Sequence, residues 1–170
     1  MASRAERFGN TEAAALRKSV LFVCLGNICR SPLAEAAFRR EAERLGLDVE
    51  ADSAGTGDWH VGGPPDRRAI AVAARNGVDI SGLRARQVGP ADFGRFDYIV
   101  ALDAQNLRDL RRMQPAGTKA KLSLLLDHVE GREGQQVADP YHGGDDHFDA
   151  TWADAVAGAQ GLARRIAKEG

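Results

Sequence analysis

A cysteine, a Gly-Asn step, an arginine and a Ser-Pro step follow one another in CLGNICRSP, residues 24 to 32, with five residues between Cys24 and Arg30. A chain that leaves a strand through Gly26 and Asn27 and enters a helix headed by Ser31 and Pro32 turns several backbone N–H groups inward. Together with the positive helix end they make a cradle for an anion. Gly26 and Asn27 are residue types that tolerate the positive φ of so tight a turn. Cys24 stands at the start of the cradle, where the same dipoles favour thiolate over thiol. Arg30 closes the ring with a guanidinium able to meet two phosphoryl oxygens at once. Ser31 can donate its hydroxyl to the sulfur and help it leave later. The chemistry predicted is attack of a cysteine on phosphorus.

Such a displacement needs a second group, because the departing alkoxide or phenolate must receive a proton. Among the acids on loops, Asp139 in DPY (139 to 141) stands out. Pro140 restricts Asp139 to an extended conformation, which would hold the carboxyl over a pocket, and Tyr141 could flank a flat substrate. Composition alone equally allows Asp-Pro to be a plain turn starter. The cysteine also has a plain reading, a small inert residue of a buried strand. Against it, Gly, Asn, Arg and Ser-Pro all occupy positions the anion reading requires. Two cysteines with a four-residue gap and four scattered histidines make a poor zinc set. The Gly-Lys-Ser/Thr ending of the nucleotide P-loop is absent, and dithiol redox motifs use a two-residue gap.

The elements that must position these groups alternate along the chain. SVLFVC is a short apolar run ending on Cys24, the pattern of a buried strand. Leu33, Ala37, Phe38, Ala42 and Leu45 recur at helical spacing behind Pro32, and Gly46 stops that helix. LDVEADSAGT reads as a second strand, and DRRAIAVAARNG as a helix closed by Gly77. FDYIVALD is a strand, AQNLRDLRRM a helix and KLSLLLD a strand. Residues 130 to 147 form a polar loop containing ADPYHGGDDH, before a last helix with Phe148, Trp152, Val156, Ala159, Leu162 and Ile166 on one face. Strands alternating with helices at these lengths predict βαβ units and a mostly parallel sheet. In such a sheet the ligand sits beyond the carboxyl ends of the strands, and Cys24 lies at the end of the first.

At 170 residues, net charge −1 and pI near 6.4, the chain predicts one domain with no nucleic-acid footprint and no membrane surface. Residues 1–18 read as a flexible amino-terminal extension without an apolar block, and 19–170 as the domain. A cytoplasmic protein with reduced thiols is expected.

The chain resembles the low-molecular-weight protein tyrosine phosphatases from about residue 19 to the last helix. VCLGNICRSPLAE matches the family's phosphate-binding loop, and SAGT at 53 to 56, DYIVALD at 97 to 103, NLRDL at 106 to 110 and DPY at 139 to 141 match later motifs in order. The resemblance implies an α/β, single-domain, flavodoxin-like three-layer fold with a four-stranded parallel sheet, and activity without a metal or any other cofactor. It implies Cys24 as nucleophile through a phosphocysteine, Arg30 as the phosphoryl-binding group, and Asp139 as general acid and then base. Leu25, Gly26, Asn27, Ile28, Cys29 and Ser31 would line the phosphoryl group. Asn27, Ser31 and Ser53 would brace the loop. Trp59 and Tyr141 would form the pocket walls, and Cys29 would be a backup thiol that pairs with Cys24 under peroxide. The partner implied is a tyrosine-phosphorylated protein, a tyrosine kinase being one candidate, met by a monomer.

Relatives that act on phosphoarginine typically carry threonine where this chain has Ile28, so isoleucine points to phosphotyrosine. Two departures stand out. Leu83 replaces a histidine that many relatives have in the bracing network, which should then lack one donor. His142 stands where relatives often have another tyrosine; it could alter substrate preference or be only a solvated loop residue, and the latter reading is preferred. The cluster Arg67, Arg68, Arg75, Arg84 and Arg86 reads as a solvated helix face. A protein arginine phosphatase and a cysteine phosphoryl carrier are the alternative functions, although a carrier gains nothing from a general acid. Arsenate reduction would need further cysteines, and residues 30 to 170 contain none. A silent phosphotyrosine-binding module would be expected to lose Cys24 or Asp139, and both are present.

Overall fold

The computed structural model describes residues 17–169, and the expected extension lies outside the described residues except at its last two positions. Four parallel strands, β1 (Lys18–Cys24), β2 (Val49–Gly55), β3 (Tyr98–Ala101) and β4 (Lys121–Leu124), form one sheet in the order β2-β1-β3-β4. The helices are α1 (Arg30–Leu45), α2 (Arg67–Arg75), the short α3 (Asp92–Arg95), α4 (Ala104–Met113) and α5 (Asp145–Glu169). Successive residues of a strand face opposite sides of the sheet. Val20 and Phe22 accordingly pack with Leu33, Phe38, Val72, Phe148 and Trp152 of α1, α2 and α5, while Leu21 and Val23 pack with Phe93, Phe96, Leu107 and Leu110 around α3 and α4. This three-layer arrangement explains why β1 is apolar without alternation, as strands covered on both faces are. From β1 the chain winds to β2 on one side and then crosses to β3 on the other, and the reversal opens a crevice at the carboxyl end of β1.

Helix ends follow their capping chemistry. Gly46, at φ +70°, closes α1 with its N–H on the Glu43 carbonyl. Asp66 caps α2 by accepting from Arg68 N, and Asp103 caps α4 by accepting from Asn106 N.

Some expectations need correction. Leu45, assigned to the buried face of α1, is exposed in the last turn, and Val156 of α5 is only half-buried. The strand expected over KLSLLLD ends at Leu124, where its partner β3 also ends, and Leu125–His128 form a 3-10 turn. The Asp127 carboxylate folds the chain back there by accepting from Leu124 N at 2.9 Å and Gly134 N at 2.8 Å. The loop before α5 ends at residue 144, because the helix already starts at Asp145. The arginine cluster is not simply a solvated face. Arg68 pairs with Asp66, Arg75 with Asp149, and Arg86 with Asp52 and Asp92.

The 3-10 turn packs on α5 where the helix has no side chain to obstruct it. A Cβ at Gly161 would overlap the His128 carbonyl, and one at Gly158 would overlap the Leu125 side chain. Gly161→Ala should therefore destabilise by about 1–3 kcal/mol despite alanine's better helix propensity. A urea midpoint equal to or above that of the parent protein would refute this packing requirement.

His128 itself sits between Ser123 Oγ, 2.9 Å from Nε2, and Arg165 Nη1, 3.2 Å from Nδ1. Arginine can only donate, so Nδ1 accepts and the ring proton resides on Nε2. Burial, and then the Arg165 charge, push the ring down to about 4. The unfolded chain, with an ordinary histidine near ~6.5, then binds a proton that the folded chain refuses. Stability is lost as pH falls from ~6.5 through the folded value. Urea midpoints at pH 7.5 and 4.5 should diverge, and His128→Gln should shrink the difference; an unchanged difference would assign the acid sensitivity elsewhere.

Candidate active site

The cradle is built from the end of β1, the turn 25–29 and the first turn of α1. Asn27 is the only non-glycine residue with positive φ among the described residues, at 57°, whereas Gly26 does not adopt positive φ. The absence of a side chain at Gly26 serves proximity instead, since a Cβ there would press on the His60 ring at 3.1 Å. Gly55, in SAGT, has the same function for the backbone. A Cβ on it would stand 2.7 Å from the Leu25 carbonyl and 3.2 Å from Asn27 N, so only glycine lets β2 support the turn.

Cys24 is 3 % exposed at the floor. Its Sγ lies 3.0 Å from Ser31 Oγ and accepts from Asn27 N–H at 3.3 Å. The Asn27 side chain ties the turn together. Its Nδ2 donates to Ser31 Oγ (2.8 Å) and Ser53 Oγ (3.0 Å), and its Oδ1 accepts from Arg86 N (3.0 Å). Leu83 packs against the main apolar cluster. The bracing network closes through the Arg86 backbone N–H on Asn27, three residues beyond Leu83.

Arg30 is buried, and Asp103, just beyond β3, fixes it. Nη1 donates to Asp103 Oδ2 at 2.7 Å and to the Val137 carbonyl at 3.1 Å. Burial alone would lower the Arg30 pKa; the facing Cys24 sulfur and the Asp103 carboxylate overcome it, so the pKa is raised and the cation is secure. Asp139, with a half-exposed side chain, stands across the mouth with Oδ2 3.7 Å from Arg30 Nη2, and its Oδ1 accepts from Tyr141 N at 3.1 Å. Burial, followed by Asp66, pushes the Cys29 thiol far above its ordinary range, so Cys29 stays protonated.

Cys24, Leu25, Gly26, Ile28, Cys29, Arg30, Trp59, Asp139 and Tyr141 line one cavity, joined by His60 and His142. His142 is therefore at the mouth, edge-on to Tyr141 with ring centroids 5.0 Å apart, rather than merely solvated. Trp59, 70 % exposed, lies over Gly57, which has no side chain to displace it. Sequence reasoning missed Asp103, Gly55, Arg86 and His60. The first two lay inside recognised motifs, where an acid two residues past a strand and a glycine at a strand's end were the available signals.

A cysteine that faces the Asn27 N–H and the head of α1, opposite a locked arginine, can hold a tetrahedral oxyanion and attack its centre. The model of the family described as low molecular weight phosphotyrosine protein phosphatase matches residues 19–170. This chain belongs to that family. A low molecular weight phosphotyrosine protein phosphatase of Schizosaccharomyces pombe is 46% identical over 151 residues, 87% of this chain and 96% of the relative. The crystal structure of YfkJ from Bacillus subtilis superposes with a TM-score of 0.83 at 43% identity, covering 90% of this chain and 96% of that one. A Drosophila arginine phosphatase structure superposes with a TM-score of 0.81 at 32% identity, covering 86% and 96%. As a member, this phosphatase is a hydrolase of phosphoric monoesters, and its fold is the family's α/β fold with a four-stranded parallel sheet. No helix among the described residues is long and apolar enough to cross a membrane.

Proposed function

We propose that this phosphatase hydrolyses phosphotyrosine in proteins by two displacements at Cys24. The thiolate attacks phosphorus, the phosphorus–oxygen bond to the tyrosine breaks, and Asp139 gives its proton to the departing phenolate. Water then attacks the phosphocysteine, Asp139 takes a proton from it, and the sulfur–phosphorus bond breaks to release phosphate. Arg30 and the inward N–H groups of residues 25–31 carry the charge that spreads over the phosphoryl oxygens. Asn27, Ser31 and Ser53 hold the turn, and the Ser31 hydroxyl supports the sulfur as leaving group.

The observation that carries this reading is Cys24 Sγ held 3.0 Å from Ser31 Oγ at the floor of a cavity whose rim bears Trp59 and Tyr141. A nucleophile at that depth favours the long, flat phosphotyrosine over phosphoserine, and aromatic sides suit its ring. Ile28 in the lining favours an aryl ester over the more polar phosphoguanidinium. Under peroxide, Cys24 would be oxidised to a sulfenic acid as the peroxide is reduced to water; Cys29, losing its proton as it attacks that sulfur, would displace the hydroxyl as a second water and form the disulfide, which protects the nucleophile from further oxidation. The substrate would be a tyrosine-phosphorylated protein, an autophosphorylated kinase among the candidates, met in the cytoplasm by a monomer.

Phosphate release from matched phosphotyrosine, phosphoserine and phosphoarginine peptides, in excess chelator, tests the assignment. Release from phosphotyrosine alone is expected. Preference for phosphoarginine would overturn the assignment based on Ile28 and Trp59, and no release would remove hydrolysis itself.

A further inference from the structure

Residues 138–144, which carry Asp139 and Tyr141, bury Pro140 but have few polar ties to the rest of the fold. Internally they close two turns, Tyr141 N–H on Asp139 Oδ1 and Gly143 N–H on the Pro140 carbonyl. Among the described residues, their polar links to elements other than the adjoining head of α5 come from two side chains. One is Arg30, at 3.7 Å from Asp139. The other is Arg68, in the first turn of α2. Its Nη2 donates to the Tyr141 carbonyl at 2.8 Å and its Nη1 to the Gly143 carbonyl at 2.9 Å. The same guanidinium is aimed from behind by Asp66, the α2 cap, which accepts from Nε and Nη2 at 3.0 Å each. It also lies over the rings of Phe148, 4.6 Å from the centroid, and Tyr141, 5.6 Å.

We propose that Arg68 is a positioning residue, a clasp that fixes the Asp139–Tyr141 loop over the cradle and acts on turnover through Asp139. The inference rests on the assignment of Asp139 as proton donor. A planar fork with donors on both arms can grip a carboxylate on one side and two carbonyls on the other, which a lysine ammonium cannot reproduce. Because proton donation depends on close placement of the acid, a loop held only by the burial of Pro140 and its one polar contact to Arg30 would spend less time in the productive geometry. Poor leaving groups, which depend on the proton, should suffer; good ones should not.

The test is kcat/KM, which reports the step that expels the leaving group, across aryl phosphates of graded leaving-group pKa for the parent, Arg68→Gln, Arg68→Lys, Asp139→Asn and the double variant Arg68→Gln/Asp139→Asn. Arg68→Gln and Arg68→Lys should lose about 10-fold on the poorest leaving groups and under about 2-fold on the best, a steeper dependence in the direction of Asp139→Asn. In the Asp139→Asn background, Arg68→Gln should change kcat/KM by less than about 2-fold, because residues acting as one unit do not add. An even loss across the series, or losses that multiply in the double variant, would overturn the clasp while leaving Asp139 as the acid. A flat series for Asp139→Asn would instead overturn the reading of Asp139, and the clasp with it. Arg68→Lys keeps the charge and the aliphatic stem, so it carries the test if Arg68→Gln fails to fold.

Discussion

Cys24→Ser should release no measurable phosphate, a loss on the order of 10⁴- to 10⁶-fold, as when the nucleophile of a concerted catalytic unit is removed. The serine oxygen fits beside Ser31 Oγ and Asn27 N–H, but at neutral pH it remains a protonated, weak nucleophile. Nothing in the cradle is lost with the sulfur. The Asn27 N–H remains in place, Asn27 keeps its side-chain bonds to Ser31, Ser53 and Arg86 N, and Arg30 keeps Asp103. Inorganic phosphate should therefore still bind the variant about as tightly as the parent, because the groups that would hold it are unchanged. Calorimetric titration with phosphate beside a phosphate-release assay gives both answers. Residual turnover would point to another nucleophile. Loss of turnover together with loss of phosphate binding would mean that the sulfur holds the cradle's shape.

Arg30→Lys should cost about 10³-fold in turnover, near the upper end for losing an oxyanion donor. Two separate losses combine. A single ammonium cannot present two parallel N–H bonds to phosphoryl oxygens. It also cannot reach both Asp103 and the Val137 carbonyl while facing the cavity, so the Asp103 carboxylate is left with its α4 cap and an unmatched charge. Phosphate affinity should fall together with kcat, which separates this variant from Cys24→Ser. A lysine variant with near-parental turnover would show that a point charge suffices and that the forked geometry is incidental.

The cradle was legible because its residues are contiguous and local backbone chemistry dictates their types. Even there only part of the turn could be read. Asn27 does carry the positive φ, whereas Gly26 is small because His60 presses on it, a tertiary reason that no local rule contains. β1 was legible from its unbroken apolar run, and α5 from its helical period, but the bend at Leu125–His128 was not. It depends on Asp127 finding Gly134 across a loop. Asp103 escaped for the same cause, since its bond to Arg30 joins the cap of α4 to the head of α1, which meet only when β1 and β3 pair. Like charges along α2 and its neighbours resemble a solvated face until Asp149, Asp52 and Asp92 arrive from elsewhere in the chain.

The arginine anchor has a further consequence for how activity appears as the chain folds. Arg30 reaches its two partners across 73 and 107 residues of sequence, and Asn27 meets Arg86 across 59. Contacts of such separation need most of the loop-closure entropy to be spent before they form. A refolding chain can acquire the β1–α1 turn early and still lack a competent guanidinium, so recovery of catalysis should lag recovery of helical signal.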